Sequence, residues 1–287
     1  MADVKVNALL VQTPVIDDYI LGCDTSSSDE ASRFLVSNMA SVINADHGGD
    51  HFSTFRGKNL GTTITDAQNT AIKNRTYTDL FIGDYWVMGG ENWRIAAIDY
   101  YYNVGDTNFN KGNIIVVPDT CLYNAQMHNT DSGAYESGTT ANNTTGGYTL
   151  SDMFTTNLDQ ARTTATNLFG SHVATHRILC ASNASSGRAT AWAWRDSDGV
   201  ELMNEMQVYG SQHWGKYNQN GYDIGTQKTQ FPLFALAPQF INTRQNYWLQ
   251  DVCSTTFFAF VYFYGNAYAN IASAVYGVRP AITLTYI

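Results

Sequence analysis

The chain has 287 residues and a formal net charge of −9 at neutral pH, and only 14% of its residues are charged, against about 25% in a typical domain. Its sixteen basic residues form no cluster that could bind phosphates, which argues against nucleic acid and anionic membranes as partners. No apolar stretch reaches the roughly 18 residues that cross a bilayer. Residues 1–11 lack the pattern of a signal peptide, so we expect synthesis in the cytoplasm and no export by the general route.

The first fifty residues predict a separate N-terminal segment. Residues 4–11 and 19–22 predict short strands, and residues 31–43 predict a helix or a strand with one apolar side. The Gly- and charge-rich stretch 46–51 then marks a domain boundary. So short a segment buries little core of its own, so we interpret residues 1–51 as an attachment or oligomerisation segment.

The boundary stretch carries two carboxylates and two imidazoles, those of Asp46, His47, Asp50 and His51. Both groups bind transition metals. The glycine pair between them is too flexible to preorganise a metal site, so we interpret the stretch as a solvated linker. A metal held by histidines around the axis of a trimer is the alternative.

The remainder of the chain, residues 52–287, alternates helix and strand signals. A capping box predicts a helix over residues 65–74. A Gly-Gly pair joins two apolar runs and predicts a β-hairpin over residues 84–98. Residues 114–117 predict a short buried strand that ends at a proline.

The second half of this region continues the mixed pattern. Residues 129–149 are almost entirely Asn, Thr, Ser and Gly and predict a surface loop. Apolar residues at helical spacing predict a helix over residues 151–169, and a second helix is expected around residues 200–208. Residues 278–287 predict the last strand. The few helices are separated by hairpins, so we expect an α+β fold with a mainly antiparallel sheet.

Common catalytic motifs are missing from the sequence. There is no nucleophile elbow, phosphate-binding loop, dinucleotide fingerprint or H-E-x-x-H motif. His172 and His176 are four residues apart, but Gly170 has ended the helix, so the pair predicts no metal site. Residues 106–112 begin like a calcium loop, but Gly112 is one position late and Val117 stands where the ligand Glu belongs. We therefore predict no catalytic residue, no metal and no cofactor.

The C-terminal segment 253–276 has an unusual alternation. From residue 258 to residue 270 the even positions are aromatic or Asn, and the odd positions are mostly small. If the segment is extended, one face is a row of rings and amides. A sheet core is one interpretation, but three tyrosines and two asparagines on one face would each need a buried partner. We therefore favour an exposed binding face.

The same 24-residue segment contains no Lys, Glu, Gln, Met or Trp, although these make up 36 of the 287 residues. A codon that is randomised at its first two positions and has a pyrimidine third encodes none of the five. The composition of the segment is therefore compatible with a diversified coding sequence.

Several motifs resemble the variable proteins of diversity-generating retroelements and related phage proteins of gut prophages. The run 247–252 before the diverse segment and the Gly-Val-Arg-Pro-Ala run 277–281 after it resemble the C-terminus of that family. Weaker matches cover much of residues 52–287: Gly83–Trp86, Asn92–Ala96, Val116–Asp119, Gly199–Met203 and Gln230–Leu236. Residues 18–34 are similar to the attachment segment of phage fibre proteins.

The resemblance implies a C-type-lectin-like domain, the fold that formylglycine-generating enzymes share, over residues 52–287, with a variable region at about residues 243–276. It implies that variable side chains project from a rigid scaffold toward a ligand. For Phe258 the resemblance leaves two positions open, the ligand-facing surface and the core. The ligand-binding positions that it implies are Tyr247, Phe257, Phe260, Tyr262, Tyr264, Asn266, Tyr268, Asn270 and Tyr276.

The scaffold implied by the resemblance consists of Trp248, Leu249, Asp251, Val252, Gly277, Val278, Arg279 and Pro280. Gln250 departs from the family, because an Arg is expected there to form a scaffold salt bridge. The calcium-binding tetrad of sugar-binding animal lectins is also missing, so calcium-dependent sugar binding is not implied.

The function implied is that of a phage receptor-binding protein at a tail-fibre tip or on a head fibre. The expected partners are a host surface protein or glycan, other virion proteins bound through residues 1–51, and two further copies in a homotrimer. The expected location is the virion. Because tyrosine gives a large contact area at low entropy cost, such a surface accepts many sequences.

Two alternatives are kept. A structural virion decoration protein would use the aromatic face as a subunit interface. A fibre-associated glycan-degrading enzyme, or a relative of the formylglycine-generating enzymes, would share the fold but need its own chemistry. A relative of the formylglycine-generating enzymes requires a convergent cysteine pair or a copper site. The cysteines lack C-x-x-C spacing and are expected to be free thiols: Cys23, Cys121, Cys180 and Cys253.

Overall fold

The structure is a computed structural model that describes residues 19–23, 31–35, 50–128, 144, 146–185, 188–215 and 229–287. The chain divides into two compact units, Met1–Asp50 and His51–Ile287. None of the described helices is both long enough and apolar enough to cross a membrane.

The described helices are α1 (Asp50–Ser53), α2 (Asp66–Lys73), α3 (Asp159–Phe169), α4 (Glu205–Tyr209) and α5 (Pro232–Leu236). The described strands are β1 (Tyr19–Cys23), β2 (Ala31–Leu35), β3 (Tyr85–Met88), β4 (Glu91–Ile98), β5 (Asn113–Pro118), β6 (Tyr123–Gln126), β7 (His176–Ser185), β8 (Arg188–Ser197), β9 (Val200–Leu202), β10 (Tyr247–Val252), β11 (Phe257–Val261), β12 (Ala267–Ile271), β13 (Val275–Val278) and β14 (Pro280–Thr285). Short 3₁₀ turns span Tyr148–Leu150, Gly170–His172 and Pro238–Phe240, and a π-helical turn spans Met153–Asn157.

In the first unit, β1 and β2 form an antiparallel pair in which Tyr19 lies opposite Leu35. The first strand agrees with the prediction for residues 19–22. For residues 31–43 the sequence predicted either a helix or a strand, and the first five of these residues form a strand. The predicted strand 4–11, together with Asp46 and His47, lies outside the described residues.

His51 opens the second unit and is not a solvated linker residue. Its side chain is buried, its Nδ1 atom lies 2.8 Å from the carbonyl oxygen of Leu80, and its ring packs 4.5 Å from that of Phe81. The interpretation of this residue as part of a solvated linker is therefore wrong, because α1 turns it toward the domain.

The described part of the second unit contains two five-stranded sheets. One has the order β3-β4-β5-β14-β9 and is antiparallel throughout, and it contains the predicted hairpin, with Gly89 and Gly90 both at positive φ. The other has the order β12-β11-β10-β13-β6 and is antiparallel except between β10 and β13. A separate antiparallel pair joins β7 and β8. The mainly antiparallel α+β architecture is thereby confirmed.

The helices follow their sequence signals with two differences. The α2 helix begins at the predicted capping box, whose two reciprocal hydrogen bonds both form. The predicted helix 151–169 is divided, because a π-helical turn at Met153–Asn157 precedes α3. Residues 200–208 were expected to be one helix, but they form β9 and most of α4, since Asn204 caps a new helix there.

The end of the predicted loop 129–149 is not at the surface. Residues 129–143 and Thr145 lie outside the described residues, but Thr144, Tyr148 and Thr149 are buried. The Tyr148 hydroxyl accepts a hydrogen bond from the backbone N–H of Leu202 at 3.2 Å. The polar composition of the stretch predicted exposure throughout. A single aromatic residue, Tyr148, is enough to fix the end of the loop to the core.

Both large sheets contribute to one hydrophobic core. Trp86 and Trp93 enter it from the first sheet and Trp248 from the second, and all three are completely buried. The second sheet is the one that carries the predicted ligand-binding segment, so its β11–β12 edge is anchored to the main core of the unit.

Candidate functional site

The diverse segment forms a β-hairpin rather than one extended strand. The strands β11 and β12 are joined by a turn in which the Tyr262 N–H donates to the Asn266 carbonyl at 2.8 Å, with Gly265 at a φ of 95°. Phe260 lies directly opposite Tyr268. Even-numbered residues therefore still share one face of the hairpin, although the chain reverses within it.

The hairpin tip is held by residues outside the hairpin. The Tyr209 hydroxyl donates to the Gly265 carbonyl at 3.0 Å, and the side-chain oxygen of Asn246 accepts the Phe263 N–H at 2.8 Å. A Cβ atom at Gly265 would lie 3.2 Å from the Cβ of Asn242, so the turn packs closely on the neighbouring loop. These contacts preorganise the tip.

A row of packed rings runs along the even face. Phe260 lies opposite both Trp248 and Tyr268 in the sheet register, and its ring centroid is 6.1 Å from that of Trp248 and 5.7 Å from that of Tyr268. The Tyr276 ring lies 4.5 Å from Phe260 and 4.8 Å from Trp248. Phe260 is only 1% exposed. Its expected place on the ligand-facing surface is therefore wrong, because neighbouring rings cover it; Phe258 is also buried and belongs to the core.

Tyr247 is also not at the surface. It is completely buried, and its hydroxyl donates to the Ile241 carbonyl at 2.9 Å. The Arg279 guanidinium donates to the same hydroxyl at 3.3 Å, and burial raises the pKa of Tyr247 to about 12. Tyr247 therefore belongs to the scaffold, because β10 is flanked by strands on both sides and buried along its whole length.

The expected scaffold residues are buried. The Arg279 guanidinium donates to the carbonyls of Pro118 and Phe240, both at 2.8 Å. Gln250, where the resemblance predicts an Arg, donates from its side-chain amide to the Leu202 carbonyl at 3.1 Å. A neutral amide at this position is thus satisfied by backbone without a salt bridge.

Five rings form the exposed end of the aromatic row, and we call them the aromatic patch: Trp214, Tyr262, Phe263, Tyr264 and Tyr268. Tyr264 is 73% exposed and Tyr268 is 49% exposed, whereas Tyr262 and Phe263 are half-buried. The rings of Tyr262 and Tyr268 are 6.0 Å apart, and those of Phe263 and Tyr264 are 4.0 Å apart. The exposed side chain of Asn266 lies in the turn that joins β11 and β12, next to these rings in sequence.

Trp214 is the member of the patch that sequence reasoning missed. Its indole N–H donates to the Ala267 carbonyl at 3.0 Å, its ring lies 5.3 Å from that of Tyr268, and it is 42% exposed. It is far from the hairpin in sequence, so the alternation of the diverse segment could not point to it. The one available signal was a large aromatic residue in an otherwise polar stretch, residues 211–215.

The remaining predicted site residues are placed apart from the patch. Asn270 donates from its side-chain amide to the Tyr276 hydroxyl, and both are half-buried. Phe257 is 36% exposed but occupies an odd position, so its side chain points to the opposite face of the hairpin. The structure therefore brings together Tyr262, Tyr264, Asn266 and Tyr268 and separates them from Phe257.

A pair of buried acids supports the loop that carries Trp214. The Glu205 carboxylate accepts backbone N–H groups of His213, Trp214 and Gly215 at 2.8–3.1 Å. The Glu205 N–H in turn donates to the Asp251 carboxyl at 2.7 Å. Burial, followed by repulsion from Glu205, raises the pKa of Asp251 to about 8. The orientation of Trp214 therefore rests on an ionisable buried pair.

The chemistry that the patch offers is contact and hydrogen bonding. Its members supply ring faces, phenol hydroxyls and an indole, with the amide of Asn266 beside them. Among the described residues, no three His, Cys, Asp or Glu side chains are grouped so that they could hold a metal ion. Burial raises the pKa of the Cys180 thiol well above its usual value, which disfavours the reactive thiolate.

Comparisons of the chain with protein-family models, with curated proteins and with solved structures give no match.

Proposed function

We propose that this protein is a phage receptor-binding protein, with a C-type-lectin-like second unit that binds a host surface protein or glycan through the aromatic patch. The observation that carries the proposal is the exposure of Tyr264 and Tyr268 on a hairpin whose tip is fixed from outside, with the exposed Trp214 packed beside them. Large apolar side chains grouped at a surface are characteristic of interaction sites.

The physical basis of binding is a preorganised aromatic surface. Tyrosine and tryptophan have only two side-chain torsions, so they lose little conformational entropy when a ligand covers them. The rings already contact one another, as for Trp214 and Tyr268 at 5.3 Å, which restricts them before binding. The cost of ordering the surface is therefore small, and more of the contact energy remains as affinity.

The proposal includes a location and an assembly. The first unit attaches the protein to other virion proteins, and a homotrimer on the virion displays three patches. Multivalent attachment raises the overall affinity when single-site binding is weak, because the second and third contacts form at high effective concentration. Trp214 lies outside the region 243–276, so it forms a constant part of a surface whose other members vary.

The proposal predicts that removal of the two exposed tyrosines of the patch weakens binding without unfolding the protein. We expect the double variant Tyr264→Ala, Tyr268→Ala to bind cells at least about tenfold more weakly. Its melting temperature should change by less than about 2 °C, since exposed side chains contribute little to stability. The measurement is adsorption of fluorescently labelled protein to a panel of gut bacterial isolates, together with a thermal melt.

The matched control is Leu236→Ala, because Leu236 is 43% exposed and lies on α5, outside the patch. This variant should adsorb like the unmodified protein. Undiminished adsorption by a folded double variant would place the receptor site elsewhere. A large drop in its melting temperature or a changed oligomeric state would instead identify the patch as a structural interface, as in a decoration protein.

A further inference from the structure

A second candidate site lies in the second unit and shares no residue with the aromatic patch. It is a cavity of about 290 Å³ between the loop that follows β4 and the paired strands β7 and β8. This volume is near the lower end for small-molecule sites. The cavity is lined by Thr107, Asn108, Phe109, Thr175, His176, Arg177 and Asp196.

His176 lines the cavity and is only 3% exposed. Its Nδ1 atom lies 3.3 Å from the Ala174 carbonyl oxygen, which can only accept a hydrogen bond. In the neutral form of the ring, Nδ1 therefore carries the proton and Nε2 presents a lone pair. No group among the described residues donates a hydrogen bond to this buried Nε2 atom.

A second unsatisfied acceptor lies beside it. Glu201 is buried, and one of its carboxylate oxygens accepts the hydroxyl of Tyr101. The same oxygen is 3.6 Å from the His176 Nε2 atom, too far for a hydrogen bond. The other oxygen has no hydrogen-bond partner in the part of the chain that the structure describes. Two adjacent buried acceptors require a donor, because an unsatisfied buried polar atom is costly.

The charges around the cavity favour a cation as that donor. Arg177 forms ion pairs with Asp106 at 2.7 Å and with Asp196 at 2.9 Å. Together with Glu201, which lies beside His176, the region around the cavity has three carboxylates and one guanidinium. The Tyr101 ring lies 3.8 Å from the His176 ring, and the Phe109 ring lies 6.2 Å from it. Of these two rings Phe109 lines the cavity, and an aromatic ring there adds to the attraction of a cation.

We propose that this cavity binds a small primary ammonium compound. The ammonium donates one N–H to the His176 Nε2 atom, and its positive charge faces the carboxylates of Glu201 and Asp196. An anion would meet net negative charge there. A neutral hydroxyl could satisfy the acceptors but would gain nothing from the carboxylates.

The test compares two probes of nearly equal size, ethanolamine and ethylene glycol, which differ by an ammonium in place of a hydroxyl. Each is titrated at neutral pH into the full-length protein, and the imidazole resonances of His176 are followed by NMR. We expect ethanolamine to shift these resonances and to bind at least about tenfold more tightly than ethylene glycol. Equal binding of both probes, or no response of His176 to either, overturns the proposal.

An exposed carboxylate provides the variant, so that folding is not at risk. Asp196→Asn should weaken ethanolamine binding by about tenfold. Asp198→Asn is the matched control, because Asp198 is comparably exposed and does not line the cavity; its affinity should be unchanged. An equal effect of the two substitutions would show that ethanolamine responds only to overall charge, and would contradict a site in the cavity.

Discussion

Replacement of Phe260 by alanine is expected to lower the free energy of unfolding by about 3–5 kcal/mol. Phe260 lies at the centre of the buried aromatic row and contacts the rings of Trp248, Tyr268 and Tyr276. Its removal leaves a cavity beneath the patch, since the paired strands on both sides hold their positions. Denaturant-induced unfolding, followed by tryptophan fluorescence, measures the change.

The matched control for this substitution is Phe257→Ala on the same strand. Phe257 is 36% exposed and faces away from the row, so its loss should cost less than about 1 kcal/mol. Equal losses from the two substitutions would contradict the burial pattern of the hairpin. Equal losses would also mean that the buried scaffold cannot be distinguished from the exposed surface by its contribution to stability.

Replacement of Asp251 by asparagine is expected to stabilise the protein increasingly as the pH rises from about 4 to about 8. The pKa of Asp251 is raised to about 8 in the folded protein, above its ordinary value of 3.8. Between these two values the unfolded chain releases a proton that the folded protein retains, so the folded state loses stability with rising pH. The upper limit of this loss is about 6 kcal/mol. A neutral amide at residue 251 avoids it.

The measurement is the free energy of unfolding of both proteins at several pH values. The difference between Asp251→Asn and the unmodified protein should be close to zero near pH 4 and reach several kcal/mol above pH 8. Asp159→Asn is the control, because this aspartate is exposed at the start of α3 and should give a small difference across the range. A difference for Asp251→Asn that does not change with pH would show that Asp251 is ionised throughout.

Local signals in the sequence predicted several elements correctly. The capping box of α2 and the Gly-Gly turn between β3 and β4 depend on residues close together in the chain. The alternation of residues 258–270 correctly placed the even-numbered residues on one face, but the expected exposure of that face fails at Phe258 and Phe260, which are buried. The turn at Gly265 was not predicted. Residues that pair across the hairpin, such as Phe260 and Tyr268, differ by an even number of positions, so the alternation continues unchanged through the turn.

The depth of each ring could not be predicted from the hairpin alone. Phe260 and Tyr268 share a face, yet one is buried and the other is half-exposed. The difference arises because Phe260 is on β11, which has a neighbouring strand on both sides, while Tyr268 is on the edge strand β12. Strand order depends on contacts between distant parts of the chain, so it cannot be predicted from a single stretch of sequence.

The parts of the site contributed by distant residues were missed for the same reason. Trp214 is held at the patch by Glu205, which accepts the backbone N–H groups of its loop, and by its own indole hydrogen bond to the Ala267 carbonyl. Glu205 lies next to Asp251 only because α4 packs near β10. A buried pair of acids has no sequence signature, since nothing in the local pattern shows which carboxylates meet.

The most direct test of the account is oxidative footprinting by hydroxyl radicals, read by mass spectrometry, of the protein free and bound to bacteria. In the free protein Trp214, Tyr264 and Tyr268 should be oxidised readily and Phe260 should not. On binding, the first three should become protected, while the exposed Leu236 should remain reactive. Equal oxidation of the three aromatic residues in free and cell-bound protein would contradict a receptor site at the aromatic patch.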